Sequence, residues 1–144
     1  MTSNSDGGDG DAGQDAAPVV RVLVVDDQQP FRDAARAVVD RLAGFAVVAE
    51  AESGEEAVDV VAAIEPDLVL MDINMGGIDG IEAARRISGA HPQTMVVLLS
   101  TYELSDLPPA ARSSGAAAYV NKDDFGGRVL RRLWADGGDP YFAR

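Results

Sequence analysis

The chain has 144 residues, 24 acidic groups against 12 basic ones, and a formal net charge of -12. It has no cysteine, one histidine (His91) and one lysine (Lys122), which excludes a disulfide framework, a thiolate nucleophile, a Cys-based zinc site and a His-rich metal centre. The acidic balance repels the phosphate backbone, so no direct nucleic-acid partner is expected, and it attracts cations such as Mg²⁺.

Residues 1–18 (MTSNSDGGDGDAGQDAAP) carry four Asp and no basic group. They cannot bury enough apolar surface to offset ordering, and a disordered acidic tail is expected. The remaining length suits one domain, over 19–135. No aliphatic run approaches the roughly 20 residues of a membrane span, and no basic segment precedes an apolar one at the N-terminus. A cytoplasmic protein with no membrane partner is the expectation.

Val19 to Val25 reads as a first strand, followed by Asp26 and Asp27. Phe31, Ala35, Val38 and Leu42 share one face of a helix that begins near Phe31 and ends before Gly44. Phe45 to Ala49 is a second strand. Ser53 and Glu56 have capping-box spacing and open a helix with Ala57, Val60, Val61 and Ile64 on one face, ending before Pro66. Leu68 to Met71 is a third strand, followed by Asp72 and Asn74. Asp79 and Glu82 repeat the capping-box spacing before Ile81, Ala84 and Ile87, and Pro92 follows. Met95 to Leu99 is a fourth strand, followed by Ser100 and Thr101. Pro108 and Pro109 confine the fourth helix to a short stretch that begins near Leu107 and ends by Ser114. Ala117 to Val120 is a fifth strand, followed by Asn121 and Lys122, and Phe125, Val129 and Leu133 mark a last helical face. A C-terminal tail, 136–144, completes the chain.

Five aliphatic strands alternating with helices predict an α/β fold, a five-stranded parallel sheet wound on both faces. In such sheets the functional groups gather at the carboxyl ends of the strands. Three carboxylates (Asp26, Asp27, Asp72), a hydroxyl (Ser100) and an ammonium (Lys122) then converge on one edge. Singly, each also fits a plain structural role, as a cap, a turn residue or a surface charge. Together, three carboxylates repel one another unless a cation or a raised pKa relieves them. Oxygen-only ligands suit Mg²⁺. A carboxylate is also a nucleophile toward phosphorus, and phosphoryl transfer then needs chiefly positioning and charge neutralisation. The set is chemically complete for phosphorylation on an aspartate.

The segments VLVVDD, LVLMDINMGGIDGIEAARRI, VVLLST and AAAYVNK resemble the motifs of the response regulator receiver family of two-component signalling, over roughly Arg21 to Leu133. The resemblance implies a flavodoxin-like (βα)5 fold. It implies that Asp72 receives the phosphoryl group, that Asp27, Asp72 and the carbonyl of Asn74 hold Mg²⁺, and that Asp26 assists from the outer shell. Ser100 is then the switch hydroxyl, Lys122 pairs with a phosphoryl oxygen, and Tyr119 is the aromatic that moves with Ser100. It also implies an external donor, a histidine kinase, a phosphotransfer protein or a small acyl phosphate, with helix one as the usual docking surface for it. The helix four, strand five and helix five face is implied as the output surface toward an unknown protein partner, with a homodimer as one option. The only catalysis implied is that of its own phosphorylation and dephosphorylation.

Three departures from the family pattern stand out. Gly76 follows Met75 where proline is usual, Asp123 follows Lys122 where proline is usual, and Pro108–Pro109 shorten helix four. The Gly76–Gly77 pair predicts a looser loop after Asp72. On helix five, Arg128, Arg131 and Arg132 form a basic cluster that reads first as a solvated face and second as a contact for an acidic partner; Trp134, Tyr141 and Phe142 fit a core cap or a docking surface. The chain stops soon after the fifth helix, so a stand-alone or truncated receiver is expected. Three competing readings remain: a phosphorylation-independent binding module of the same fold, a flavin-binding electron carrier and an aspartyl-phosphate phosphohydrolase. The flavin carrier needs a Gly- and hydroxyl-rich phosphate cradle where Asp26 and Asp27 stand. The phosphohydrolase usually carries an Asp where Asn74 stands, together with a cap for which there is no room.

Overall fold

The computed structural model describes residues 19–138. The expected tails lie outside that range, apart from residues 136–138. Five strands, β1 (Val20–Val25), β2 (Phe45–Ala51), β3 (Leu68–Asp72), β4 (Met95–Ser100) and β5 (Ala118–Asn121), form one sheet in the order β2-β1-β3-β4-β5. All four pairings are parallel. The helices are α1 (Gln29–Asp40), α2 (Gly54–Ile64), α3 (Gly80–Ala90), α4 (Pro109–Arg112) and α5 (Gly127–Asp136). This is the doubly wound α/β fold that the strand pattern predicts.

The strands are aliphatic on both sides because both sides are covered. Leu23, Val25, Val69, Met71, Val96 and Leu98 face one layer, packed with Ala57 and Val61 of α2 and Ile81, Ala84 and Ile87 of α3. Val22, Val24, Leu68, Leu70, Val97 and Leu99 face the other, packed with Ala35 and Val39 of α1 and Leu130 and Leu133 of α5. Alternation with period two sends successive side chains to opposite layers. Each fully buried Leu or Val contributes roughly 1.5–3 kcal/mol. At the β2 edge the register slips between Val22 and Leu23, and Val48, the residue passed over, is exposed. This bulge interrupts an otherwise apolar edge.

Local signals account for most of the boundaries. The Ser53 hydroxyl accepts from Glu56 N–H at 3.1 Å, and Asp79 accepts from Glu82 N–H at 2.9 Å. Neither pair closes a reciprocal box. Glu56 reaches back to the Glu52 amide, and Glu82 turns to Arg85 and Arg86. Pro108 and Pro109 act as expected: α4 has only four residues, after a 3-10 turn at Leu104–Asp106.

Two elements differ from the sequence expectation. The buried positions of α1 are Arg32, Ala35 and Val39, with Val38 half-buried. The helix is rotated so that an arginine enters the apolar stripe, because Arg32 has polar partners inside. Phe125 is not part of α5. It closes a 3-10 turn at Lys122–Asp124, ahead of the helix, and packs against Phe31 with ring centroids 6.2 Å apart. Trp134 of α5 is half-buried and meets Phe45 edge-on, which supports its role as a core cap. Tyr141 and Phe142 lie outside the described residues. Among the described residues no helix is long and apolar enough to cross a membrane.

Candidate functional site

The chain leaves β1 for the edge strand β2 and returns to β3 on the other side of β1. The carboxyl ends of β1 and β3 therefore flank the crevice expected at a topological switch point. Asp26 follows β1, and its N–H donates to the Ala51 carbonyl at 3.1 Å, which ties it to the end of β2. Asp72 is the last residue of β3. Asp26 is fully buried and Asp72 is buried, whereas Asp27 is exposed. One carboxylate oxygen from each of the three lies within 4.8 Å of the others.

One cation closes this cluster. Lys122 follows β5, and its ammonium stands 2.8 Å from Asp26 and 3.3 Å from Asp72. It also sits 4.4 Å from the centroid of the Phe31 ring, a favourable place for a charge. Burial works against the charge on Lys122. The hydrogen bond to Asp26 and the Asp72 carboxylate outweigh it and hold the ammonium above its ordinary pKa. For Asp72 the balance runs the other way. Burial, then the neighbouring Asp26 carboxylate, push it up to about 6, against the pull of Lys122 and of the Asn74 N–H. An aspartate kept in this state gains from a further cation. The donor set is oxygen only, as a hard divalent cation requires, so the residues present fit Mg²⁺.

Ser100 ends β4 and is buried. Its hydroxyl lies 2.8 Å from the Tyr119 hydroxyl and accepts from Tyr102 N–H at 3.0 Å. The Tyr119 hydroxyl also donates to the carbonyls of Ser100 and Tyr102. Carbonyls only accept, so the Tyr119 proton points to them and Ser100 donates to the phenol oxygen. Tyr119 is thus turned inward, and burial raises its pKa. Asn74 is exposed; its amide N–H reaches Asp72, and its side chain accepts from the Tyr102 hydroxyl at 3.3 Å.

The structure therefore brings together Asp26, Asp27, Asp72 and Lys122, with Asn74 at the rim and Ser100 in a neighbouring network. Two supports were not foreseen in the sequence. Arg32 donates to the Asp26 carbonyl at 2.7 Å and to Glu50 at 3.0 Å, and Arg36 holds the other Glu50 oxygen at 2.6 Å. The Arg36 hydrogen bond leads in lowering the pKa of Glu50. The only available signal was position: Arg32 stands three residues before Ala35 and seven before Val39, on the same helical face. The second support is Gly80, where a Cβ would stand 2.0 Å from the Asp72 carbonyl oxygen. The first turn of α3 thus lies directly on the backbone of Asp72, and Gly80 N–H donates to Ile73 at 2.9 Å.

A sequence profile of the response regulator receiver domain matches residues 22–132. The chain belongs to that family. Response regulator GacA of Pseudomonas viridiflava is 38% identical over 104 residues, covering 72% of this chain and 49% of that protein. The transcriptional regulatory protein DegU of Brevibacillus brevis is 34% identical over 104 residues, covering 72% and 44%. The receiver spans about half the length of the curated relatives it matches. Among solved structures, a two-component response regulator of the LuxR family from Aurantimonas sp. SI85-9A1 superposes with a TM-score of 0.77 at 30% identity, covering 87% of this chain and 93% of that one. The signal receiver domain of the putative response regulator NarL from Mycobacterium tuberculosis gives 0.76 at 28% identity, covering 83% and 97%. Membership favours the receiver reading over the flavin carrier and the phosphohydrolase.

Proposed function

We propose that the receiver accepts a phosphoryl group on Asp72 in a Mg²⁺-dependent reaction and passes the change to a protein partner. The observation that carries this reading is the meeting of Asp26, Asp27 and Asp72 within 4.8 Å beside the Lys122 ammonium. An Asp72 carboxylate oxygen attacks phosphorus, the bond to the donor's leaving group breaks with its electron pair, and an acyl phosphate forms. Asp27, Asp72 and the Asn74 carbonyl would hold Mg²⁺, with Asp26 assisting from the outer shell, and the ion would supply positive charge to the phosphoryl transfer. Lys122 supplies the second positive partner, and Ser100 a hydrogen-bond donor once it leaves Tyr119. The donor is a histidine kinase, a phosphotransfer protein or an acyl phosphate. No separate substrate is turned over.

The output face follows from the same network. When Ser100 turns to the phosphoryl group, Tyr119 loses one of its partners and the loop after β4 moves. Tyr119 borders a cleft of about 510 Å³ with Glu103, Leu104, Asn121, Asp124 and Val129, between β5, α5 and the segment that follows β4, where we place the output contact.

Intact-protein mass spectrometry after incubation with Mg²⁺ and acetyl phosphate tests the reading. A Mg²⁺-dependent gain of one phosphoryl mass, lost in Asp72→Asn, is expected. A wild-type chain that gains no such mass from acetyl phosphate or from a histidine kinase would overturn it in favour of signalling by binding alone.

A further inference from the structure

The loop from β3 to α3, residues 73–79, carries Asn74 over Asp72 and contains Gly76–Gly77. Two adjacent glycines make such a loop costly to order. Its ends are secured by backbone bonds, Ile73 N–H to Leu99 at 2.9 Å and Gly80 N–H to Ile73 at 2.9 Å. Its C-terminal part is also held from outside. The Glu55 carboxylate, in the first turn of α2, accepts from the Ile78 N–H at 3.0 Å. Gly77 lies so close that a Cβ there would stand 2.6 Å from a Glu55 oxygen. Gly77 has φ +74°, a conformation that admits glycine and few others. Gly54 is packed as tightly, with Ile78 Cγ1 2.7 Å from the place of its Cβ. The start of α2 and the end of the loop are therefore fitted to each other. The contact crosses 23 residues of sequence, and the Ile78 N–H is first among the groups that lower the pKa of Glu55.

We propose that Glu55 is a positioning residue of the phosphoacceptor site: its carboxylate latches Gly77–Ile78 and so holds the Asn74 segment over Asp72. The role rests on the reading of Asp72 as phosphoacceptor. A glycine-rich loop that wanders is competent for a fraction of the time, and apparent affinity falls by that fraction. Glu55 raises the fraction without touching Asp72.

The test uses the full chain with Glu55→Ala and Glu55→Gln. Three readouts are taken: hydrogen exchange of the Ile78 amide without metal, Mg²⁺ titration by calorimetry, and phosphoryl gain from acetyl phosphate. Glutamine keeps an acceptor oxygen and removes the charge. Glu55→Ala is expected to speed Ile78 exchange about tenfold and weaken Mg²⁺ binding roughly threefold, with the melting temperature little changed. Glu55→Gln is expected to stay near wild type in both. Adding Gly76→Ala to Glu55→Ala, where a Cβ meets nothing within 4 Å, restores part of the Mg²⁺ affinity by reducing loop entropy. Equal loss of Mg²⁺ affinity in Glu55→Ala and Glu55→Gln would overturn the latch in favour of a through-space charge effect. So would wild-type Ile78 exchange in Glu55→Ala. A wild type that takes neither Mg²⁺ nor phosphoryl sinks the reading of the site itself, and the role of Glu55 with it.

Discussion

Lys122 donates to Asp26 at 2.8 Å across 96 residues of sequence, and its distance to Asp72 is longer, 3.3 Å. The ammonium is thus committed first to the most buried acid of the cluster. Removing it leaves Asp26, fully buried, without its cation. Lys122→Ala is expected to lower stability in EDTA by about 3 kcal/mol, the usual cost of orphaning one member of a buried pair. Added Mg²⁺ should recover much of the loss, because it binds the folded state alone. Urea melts with and without Mg²⁺ check both parts, and an unchanged midpoint in EDTA would contradict the pairing.

Asp72→Asn should stabilise the metal-free protein at neutral pH. The folded pKa of Asp72 is raised from 3.8 to about 6, so the folded state binds the extra proton between those values. Stability contributed by this group is present at low pH and is lost as pH rises through 6. Deleting the charge removes that loss. The gain should be about 1–3 kcal/mol at pH 8 and vanish near pH 4. Denaturant midpoints of both proteins across that range give the curve, and a gain that grows toward low pH would refute it.

Tyr119→Phe removes the hydroxyl that engages Ser100 and the Tyr102 carbonyl. Tyr102 keeps a donor in the Asn121 side chain at 3.0 Å, so the cost should be near 1 kcal/mol. With Ser100 released, phosphoryl uptake from acetyl phosphate should be faster than in wild type. Uptake as slow as in Ser100→Ala would show that Tyr119 supports the reaction instead of restraining it.

Arg32→Ala should cost about 2 kcal/mol, since it strips the Asp26 carbonyl of a buried donor and Glu50 of one of its two arginines. Arg32→Lys should not restore it, because one ammonium cannot reproduce the fork that serves both. A double-mutant cycle with Glu50→Gln should give a coupling above about 0.5 kcal/mol. An additive cycle would mean that the Glu50 contact contributes nothing.

The strands were legible because parallel strands buried on both sides are written as aliphatic runs, and the acids, hydroxyl and lysine stand where those runs stop. Helix four was legible because proline leaves few options. Arg32 was not, since a helical pattern of apolar residues says nothing about an arginine whose partners are a backbone carbonyl and a glutamate 18 residues away. Glu55 was hidden in the same way, as one of two acids at a helix start where acids are common. Gly76–Gly77 predicted a loose loop from local composition, whereas the restraint comes from another helix.

Gly80 has a consequence for the direction of the signal. With the first turn of α3 resting on the Asp72 carbonyl, no free space remains between that helix start and the Asp72 backbone. The opposite side of the crevice is built from the hydroxyls of Ser100, Tyr119 and Tyr102, whose hydrogen bonds can be exchanged. On the proposed reading, a group added to Asp72 would meet the packed α3 start on one side and exchangeable hydrogen bonds on the other, and displacement toward β4 and β5 is the expected outcome. Sterics at a single glycine would then decide which half of the domain serves as anvil and which as lever.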